Sequence, residues 1–263
     1  MKTLLSKWMA LFICLLFSFC AYAGDKANFL KRQFTASNGY KLNYRVLYPL
    51  NYSPDKHYPV ILFLHGAGER GNDNEAQLVH GGDMFASYEN QSKYPAIIIA
   101  PQCPEGETWS TYTHPSKNNG VRVYPFSSPA TPAMKAVKEM LDSYISKGMV
   151  DTKRIYITGL SMGGMGTFDA VCRYPNFFAA ASPICGGSNL KRLEQFKGKT
   201  GFSIYHGSAD DTVDPKFSRE AYDTLQKIHA DVRYKEYPGV KHNSWDNAFA
   251  EPDYLDWMFK HSL

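Results

Sequence analysis

A serine, a pair of adjacent acids and a histidine follow one another in this chain in an order that suits nucleophilic catalysis. Ser161 stands in Gly159-Leu160-Ser161-Met162-Gly163, after the apolar run Arg154-Ile155-Tyr156-Ile157-Thr158 and before Gly164, Met165, Gly166, Thr167 and Phe168, which open a helical pattern. A strand, a Gly-x-Ser-x-Gly turn and a helix are the setting of a nucleophile elbow. The turn is so sharp that small residues must flank the serine, whose hydroxyl is held out at the strand's end. A hydroxyl is a poor nucleophile until a base takes its proton, and the base needs an acidic partner. Both belong downstream, each just past a strand, in the order serine, acid, histidine.

The segment His206-Gly207-Ser208-Ala209-Asp210-Asp211-Thr212-Val213 follows the apolar run Phe202-Ser203-Ile204-Tyr205 and offers the acid. Asp210 is the favoured carboxylate, Asp211 is the alternative, and Asp214 is assigned to capping a helix that begins at Pro215. The base is His242, in Pro238-Gly239-Val240-Lys241-His242-Asn243-Ser244-Trp245, directly after the last expected strand. Of eight histidines in the chain, His57, His80, His114, His229 and His261 fall in polar loops or at helix ends, where solvation accounts for them. His65 is read as ordering the turn after its strand, and His206 as ordering the acid-bearing turn. The transition state of acyl transfer is an oxyanion, which needs preorganised N–H donors. The backbone of Met162 is expected to give one. The backbone of Ala67, in the small-residue turn His65-Gly66-Ala67-Gly68-Glu69-Arg70-Gly71, is expected to give the other. That turn lacks both the Gly-Lys-Ser/Thr ending and the Gly-x-Gly-x-x-Gly frame of phosphate-binding loops, so a nucleotide site is set aside.

The runs Leu62-Phe63-Leu64-His65-Gly66-Ala67-Gly68-Glu69-Arg70-Gly71-Asn72-Asp73, Ala100-Pro101-Gln102-Cys103-Pro104, Gly159-Leu160-Ser161-Met162-Gly163-Gly164 and His242-Asn243-Ser244-Trp245-Asp246 carry a resemblance. Together they resemble the secreted α/β-hydrolases grouped as predicted peptidases, relatives of the phospholipase/carboxylesterase, prolyl-oligopeptidase and feruloyl-esterase-like hydrolases. The similarity runs from about Lys41 to Phe259. It implies the α/β-hydrolase fold and Ser161, Asp210 and His242 as the triad. The placing of Asp210 between His206 and Val213 is shared by many esterases of that fold. The resemblance leaves the substrate open, because such relatives cleave acetyl, feruloyl, thioester and peptide bonds with one constellation.

The elements needed to position these residues can be read from the apolar pattern. Tyr40 to Tyr48 alternates, as in a strand of an antiparallel starting hairpin. Val60-Ile61-Leu62-Phe63-Leu64, Ala96-Ile97-Ile98-Ile99-Ala100 and Ile155-Tyr156-Ile157 are continuous apolar runs, which suit strands of a parallel sheet covered on both faces. Phe178 to Ile184, Phe202 to Tyr205 and Val232 to Tyr237 continue the series. Between them, a helix is expected from Pro132, capped by Thr131 and ended by Gly148, with others over roughly Pro215 to His229 and Glu251 to Lys260. Alternating strands and helices predict a doubly wound, mostly parallel α/β sheet without a large cap domain, and ligands then bind at the carboxyl ends of the strands. The stretch from Cys103 to Pro129 has no clear period and is polar and aromatic, so it is a candidate rim of the site. Trp109, Tyr112, Tyr124 and Trp245 are its candidate substrate contacts, in balance with ordinary packing roles.

Lys2 and Lys7, the apolar stretch Trp8 to Phe19 and Ala21-Tyr22-Ala23 predict a cleavable export signal over residues 1–23, leaving residues 24–263 as one domain. The stretch is short for a membrane span, and lipid anchoring through Cys20 is the alternative localisation. A formal net charge of +4 points to neither nucleic acid nor an anionic membrane as partner. Of the five cysteines, Cys103, Cys172 and Cys185 lie beyond the signal; they show no metal-ligand spacing and read as buried free thiols. No cofactor and no metal are expected. These readings predict a secreted or periplasmic carboxylic-ester hydrolase, acting on a small-molecule or polysaccharide-linked ester such as an acetyl or feruloyl ester of a plant polysaccharide. A prolyl-oligopeptidase-like peptidase and a non-catalytic carbohydrate-binding protein are the competing readings.

Overall fold

The protein is described by a computed structural model covering residues 26–113 and 122–263. The expected export segment, Cys20 and His114 lie outside the described residues. Eight strands among those residues form one sheet: β1 (Leu30–Thr35), β2 (Lys41–Leu47), β3 (Tyr58–Leu64), β4 (Ile97–Pro101), β5 (Val150–Leu160), β6 (Ala180–Ile184), β7 (Gly201–Gly207) and β8 (Val232–Tyr237). Their spatial order is β1-β2-β4-β3-β5-β6-β7-β8. The β1–β2 and β2–β4 pairs are antiparallel, and every pair from β4 to β8 is parallel. This is the α/β-hydrolase fold.

The central strands are buried on both faces, and their side chains divide between two cores with the period of two that a strand imposes. Val60, Leu62 and Leu64 of β3 join one core, while Ile61 and Phe63 join the other. Ile97 and Ile99 of β4 face the first core, and Ile98 and Ala100 the second. The chain contains the helices α1 (Gly82–Ala86), α2 (Tyr88–Lys93), α3 (Pro132–Ser146), α4 (Met162–Arg173), α5 (Leu190–Glu194), α6 (Lys216–Lys227), α7 (Trp245–Phe249) and α8 (Tyr254–Phe259). The first core is closed by α3, α4, α5 and α6 through residues such as Val137, Met140, Phe168, Leu193 and Leu225. The second is closed by α1, α7 and α8 through Phe85, Ala248, Tyr254 and Met258.

Local chemistry sets the helix ends. Thr131 caps α3, its hydroxyl accepting the Met134 N–H at 3.2 Å, and Pro132 takes the first turn, where a missing N–H costs nothing. Gly148, past the helix end, holds φ +70°, a left-handed conformation natural to glycine. One expected helix needs adjustment, and four short ones were not anticipated. The single helix expected over Glu251 to Lys260 is shorter, Tyr254–Phe259, because the chain turns through Glu251 and Pro252 before α8. The short α1, α2, α5 and α7 carry too few residues to show a helical period at all.

Candidate active site

Three strand ends meet at the site. At the end of β5, Ser161 adopts φ 54° and ψ −114°, a conformation that a residue with a side chain rarely takes. Its N–H donates to the Ile184 carbonyl at 2.9 Å, and α4 begins at the next residue. The flanking glycines are required by the neighbouring backbone. A Cβ at Gly163 would sit 1.9 Å from the Leu64 carbonyl oxygen, and one at Gly159 would sit 2.5 Å from the Gly163 carbonyl oxygen. Only bare backbone lets the elbow close against β3.

His242 lies on the loop after β8, with its Nε2 2.9 Å from Ser161 Oγ and its Nδ1 2.8 Å from Asp210 Oδ2. The favoured acid is thus the one the structure brings to the imidazole. Asp211 points away into solvent, with its carboxylate 3.7 Å from Lys241 Nζ. Asp214 accepts the Lys216 N–H at 2.9 Å, satisfying a first-turn donor of α6 as expected. The Asp210 side chain is fully buried. Burial by itself would push its carboxyl up. Hydrogen bonds from His206, from His242 and from the backbone N–H groups of Val213 and Thr212 outweigh that and hold it well below the usual carboxylate range.

His206, also wholly buried, fixes this acid from the other side. Its Nε2 lies 3.1 Å from Asp210 Oδ2 and 2.9 Å from the Val213 carbonyl oxygen. Both are acceptors, so Nε2 carries a proton, and Ser218 Oγ at 2.7 Å completes the ring at Nδ1. The acid and histidine loops are stitched together by Ala209 N–H to Val240 O at 3.0 Å, Ser208 N–H to Tyr237 O at 3.0 Å and Gly239 N–H to Ser208 Oγ at 2.8 Å. Gly207 lets them close, since a Cβ there would come within 2.3 Å of the Val240 carbonyl oxygen.

The small-residue turn after β3 faces the elbow. Met162 opens α4 and Ala67 opens a short 3-10 turn, so neither N–H has a partner inside its own helix. His65 locks the turn: its Nδ1 bonds the Gly66 carbonyl at 2.6 Å, and its Nε2 accepts the Cys103 N–H at 2.9 Å. Burial draws this imidazole down to about 4, so it is neutral. Arg70 Nε donates to the Ala67 carbonyl at 2.9 Å, and Gln102 binds Asp73 and the Asn74 N–H, each at 2.7 Å.

The four aromatic candidates separate. Trp109 is a correction: it is fully buried, its Nε1 donating to the His65 carbonyl at 3.0 Å, so it braces the turn after β3 and has no surface for a substrate. Trp245 is half-buried between two imidazoles, with its ring centroid 5.0 Å from that of His80 and 5.4 Å from that of His242, which it meets edge to face. Tyr112 and Tyr124 stay together with Met165, Val213 and Phe217 in a small apolar cluster one helical turn from Ser161. Ser218, Gln102 and Arg122 were not singled out by the sequence pattern. The three thiols are free, Cys103 and Cys185 buried and Cys172 partly so. The Cys185 sulfur, Asp210 and His242 place ligand-type atoms within 4.8 Å of one another, the one such grouping among the described residues. Burial pushes the Cys185 thiol up, and Asp210 and His242 are bonded to each other, so the group fits proton transfer better than ligation.

Residues 51–252 match the phospholipase/carboxylesterase family. A probable carboxylesterase of Oryza sativa subsp. japonica is 27% identical over 199 residues, covering 72% of this chain and 83% of that protein. Acetylxylan esterase A of Emericella nidulans is 27% identical over 208 residues, covering 60% and 63%. The crystal structure of a thermostable esterase superposes with a TM-score of 0.80 at 34% identity, covering 90% of this chain and 64% of that one. The chain therefore spans less than two-thirds of the length of the last two proteins.

Proposed function

Because this chain belongs to the phospholipase/carboxylesterase family, and is thereby a serine ester hydrolase, we propose that Ser161, His242 and Asp210 carry its reaction and that its substrates are acyl esters of polysaccharides. The observation that carries the assignment is the continuous line from Ser161 Oγ to His242 Nε2 at 2.9 Å and from His242 Nδ1 to Asp210 Oδ2 at 2.8 Å. In this reading His242 takes the Ser161 proton as Oγ attacks the ester carbonyl carbon, and Asp210 stabilises the imidazolium that forms. The carbonyl π electrons move to oxygen, and the N–H groups of Ala67 and Met162 receive that oxyanion. Collapse breaks the ester C–O bond, with the His242 proton passing to the departing alcohol. Water, deprotonated by His242, then splits the acyl-enzyme to acid and free serine.

The acetylxylan esterase among the relatives supports an acylated polysaccharide as the substrate class. The basic and apolar pattern of residues 1–23 supports action outside the cytoplasm, as a secreted or periplasmic enzyme. The test is Ser161→Ala, with turnover of acetylated xylo-oligosaccharides, feruloylated oligosaccharides and peptides measured beside labelling by a fluorophosphonate. Folded protein that loses up to ~10⁶-fold in turnover number and all labelling supports the assignment. Near-normal hydrolysis in that variant would sink it, unlabelled wild type would favour a binding protein, and preferential cleavage of peptides would favour the peptidase reading.

A further inference from the structure

Arg122 stands over the apolar cluster of Tyr112, Tyr124, Met165 and Val213, and no acid among the described residues pairs with it. Its Nη1 lies 3.4 Å from Met165 Sδ and its Nη2 3.4 Å from the Thr212 carbonyl oxygen. Its guanidinium carbon lies 5.2 Å over the Tyr112 ring. The sulfur is a weak acceptor and the carbonyl contact is long, so the planar fork of donors is held in place yet poorly satisfied. The nearby acids are committed elsewhere. Asp210 serves His206 and His242, Asp211 lies 3.7 Å from Lys241 Nζ, and Asp214 lies 3.8 Å from Lys216 Nζ.

A second donor sits beside it. The Tyr124 hydroxyl is buried beside the Arg122 guanidinium, and its proton has no acceptor among the described residues. A Cβ at Gly187 would lie 2.5 Å from that oxygen, so the phenol reaches its place only because the backbone there is bare. Burial pushes the phenol up and the Arg122 charge draws it back only in part, so the hydroxyl keeps its proton and donates. Asn189 Nδ2, bonded to the Tyr124 carbonyl at 2.7 Å, fixes the backbone beneath. A guanidinium fork met by only a thioether sulfur and one long carbonyl contact, beside a hydroxyl with no acceptor for its proton among the described residues, calls for an anion with planar oxygens.

We propose that Arg122 and the Tyr124 hydroxyl form a subsite for a carboxylate carried by the ester substrate. This rests on the ester-hydrolase reading above and narrows it. Met165 is one helical turn beyond Ser161 and Thr212 two residues beyond Asp210, so a carboxylate bound here belongs to the same molecule as the scissile ester. A polysaccharide ester next to a uronic acid has this chemistry, and so does a half-ester of a dicarboxylic acid.

The test compares kcat/KM for two matched pairs of aryl esters: the nitrophenyl glutaric half-ester against nitrophenyl butyrate, and acetylated 4-hydroxybenzoate against phenyl acetate. The first pair puts the carboxylate on the acyl side and the second on the alcohol side. The wild type should favour the charged member of one pair, and Arg122→Met should lose about 10- to 100-fold more on that member than on its neutral partner. Arg122→Lys should recover part of the preference, and Tyr124→Phe should lose a smaller part through KM. Added salt should weaken the preference. Equal losses on charged and neutral esters would overturn the proposal and leave Arg122 a packing residue, as would a wild type that prefers the neutral member of both pairs. A wild type that cleaves none of the four esters would instead sink the ester-hydrolase reading.

Discussion

A buried histidine stands at the carboxyl end of β3 and another at that of β7, His65 just past the first strand and His206 within the second, and the two do opposite work. His65 faces backbone alone, one carbonyl and one N–H, and its neutral ring holds a turn of dipoles in shape. His206 faces the Asp210 carboxylate, and its N–H helps keep a negative charge in the interior. In the proposed mechanism one loop therefore offers N–H groups to a charge that exists only during reaction. The other stores a charge that is present throughout. What a buried histidine does is decided by the atoms its two nitrogens meet, since both rings are equally deep and both stand within two residues of a strand's carboxyl end.

The sharpest break of that contrast is at the stored charge. Asp210→Asn should cost about 10⁴-fold in kcat, because an amide can no longer orient and stabilise the imidazolium. Asp211→Asn should cost less than about tenfold, since its carboxylate sits in solvent beside Lys241, where ion pairs are worth little. Turnover of an acetyl ester by both variants checks this, and the reverse order would move the acid to Asp211.

A smaller loss should come from the loop of dipoles. In Gly66→Ala the added carbon would meet Leu160 Cδ1 at 2.8 Å and Glu69 Oε2 at 3.0 Å, displacing the Ala67 N–H. A misplaced oxyanion donor costs on the order of 10²-fold in kcat with little change in KM. Steady-state kinetics that show wild-type kcat would remove the turn after β3 from the reaction.

The smallest effect concerns stability alone. His65 is held at about 4 when folded, and an unfolded imidazole has a pKa of about 6.5. Between these values the unfolded chain binds the extra proton, so stability rises with pH and falls as acid is added from about 6.5 towards 4. The expected loss from this group between pH 6.5 and pH 5 is about 1.5 kcal/mol. Urea unfolding of the wild type and of His65→Gln at the two pH values should show a flatter dependence in the variant. Equal slopes would mean that this ring is not buried neutral.

Ser161, His242 and Asp210 were legible in the chain as a candidate triad because each follows an expected strand, and the α/β-hydrolase fold makes its site where strands end. The central strands were legible because β3, β4 and the second half of β5 are covered on both faces and show nearly continuous apolar side chains, whereas the polar first half of β5 was not. Trp109 was misread because it belongs to a stretch without a period, in which a buried brace and a cleft wall look alike. The role of Ser218 was hidden because α6 brings it to His206 from twelve residues away in sequence. Arg122 was hidden because a lone cation in a polar loop gains meaning only when the acids around it are seen to be occupied.

The histidine loop leaves β8, the last strand of the sheet, and its hold on the acid loop depends on that strand staying paired with β7. Ser161 and His242 are 81 residues apart, and His242 and Asp210 are 32 apart. No local segment of chain can bring them together, so competence for turnover requires the edge of the sheet to be docked. The same edge has the least burial among the parallel strands, and an opening confined to it would silence the enzyme while both cores remain packed. Activity thus reports on the outermost strand of the fold, and a stabilising change along β7 and β8 would lengthen the working life of the enzyme more than one in its already rigid centre.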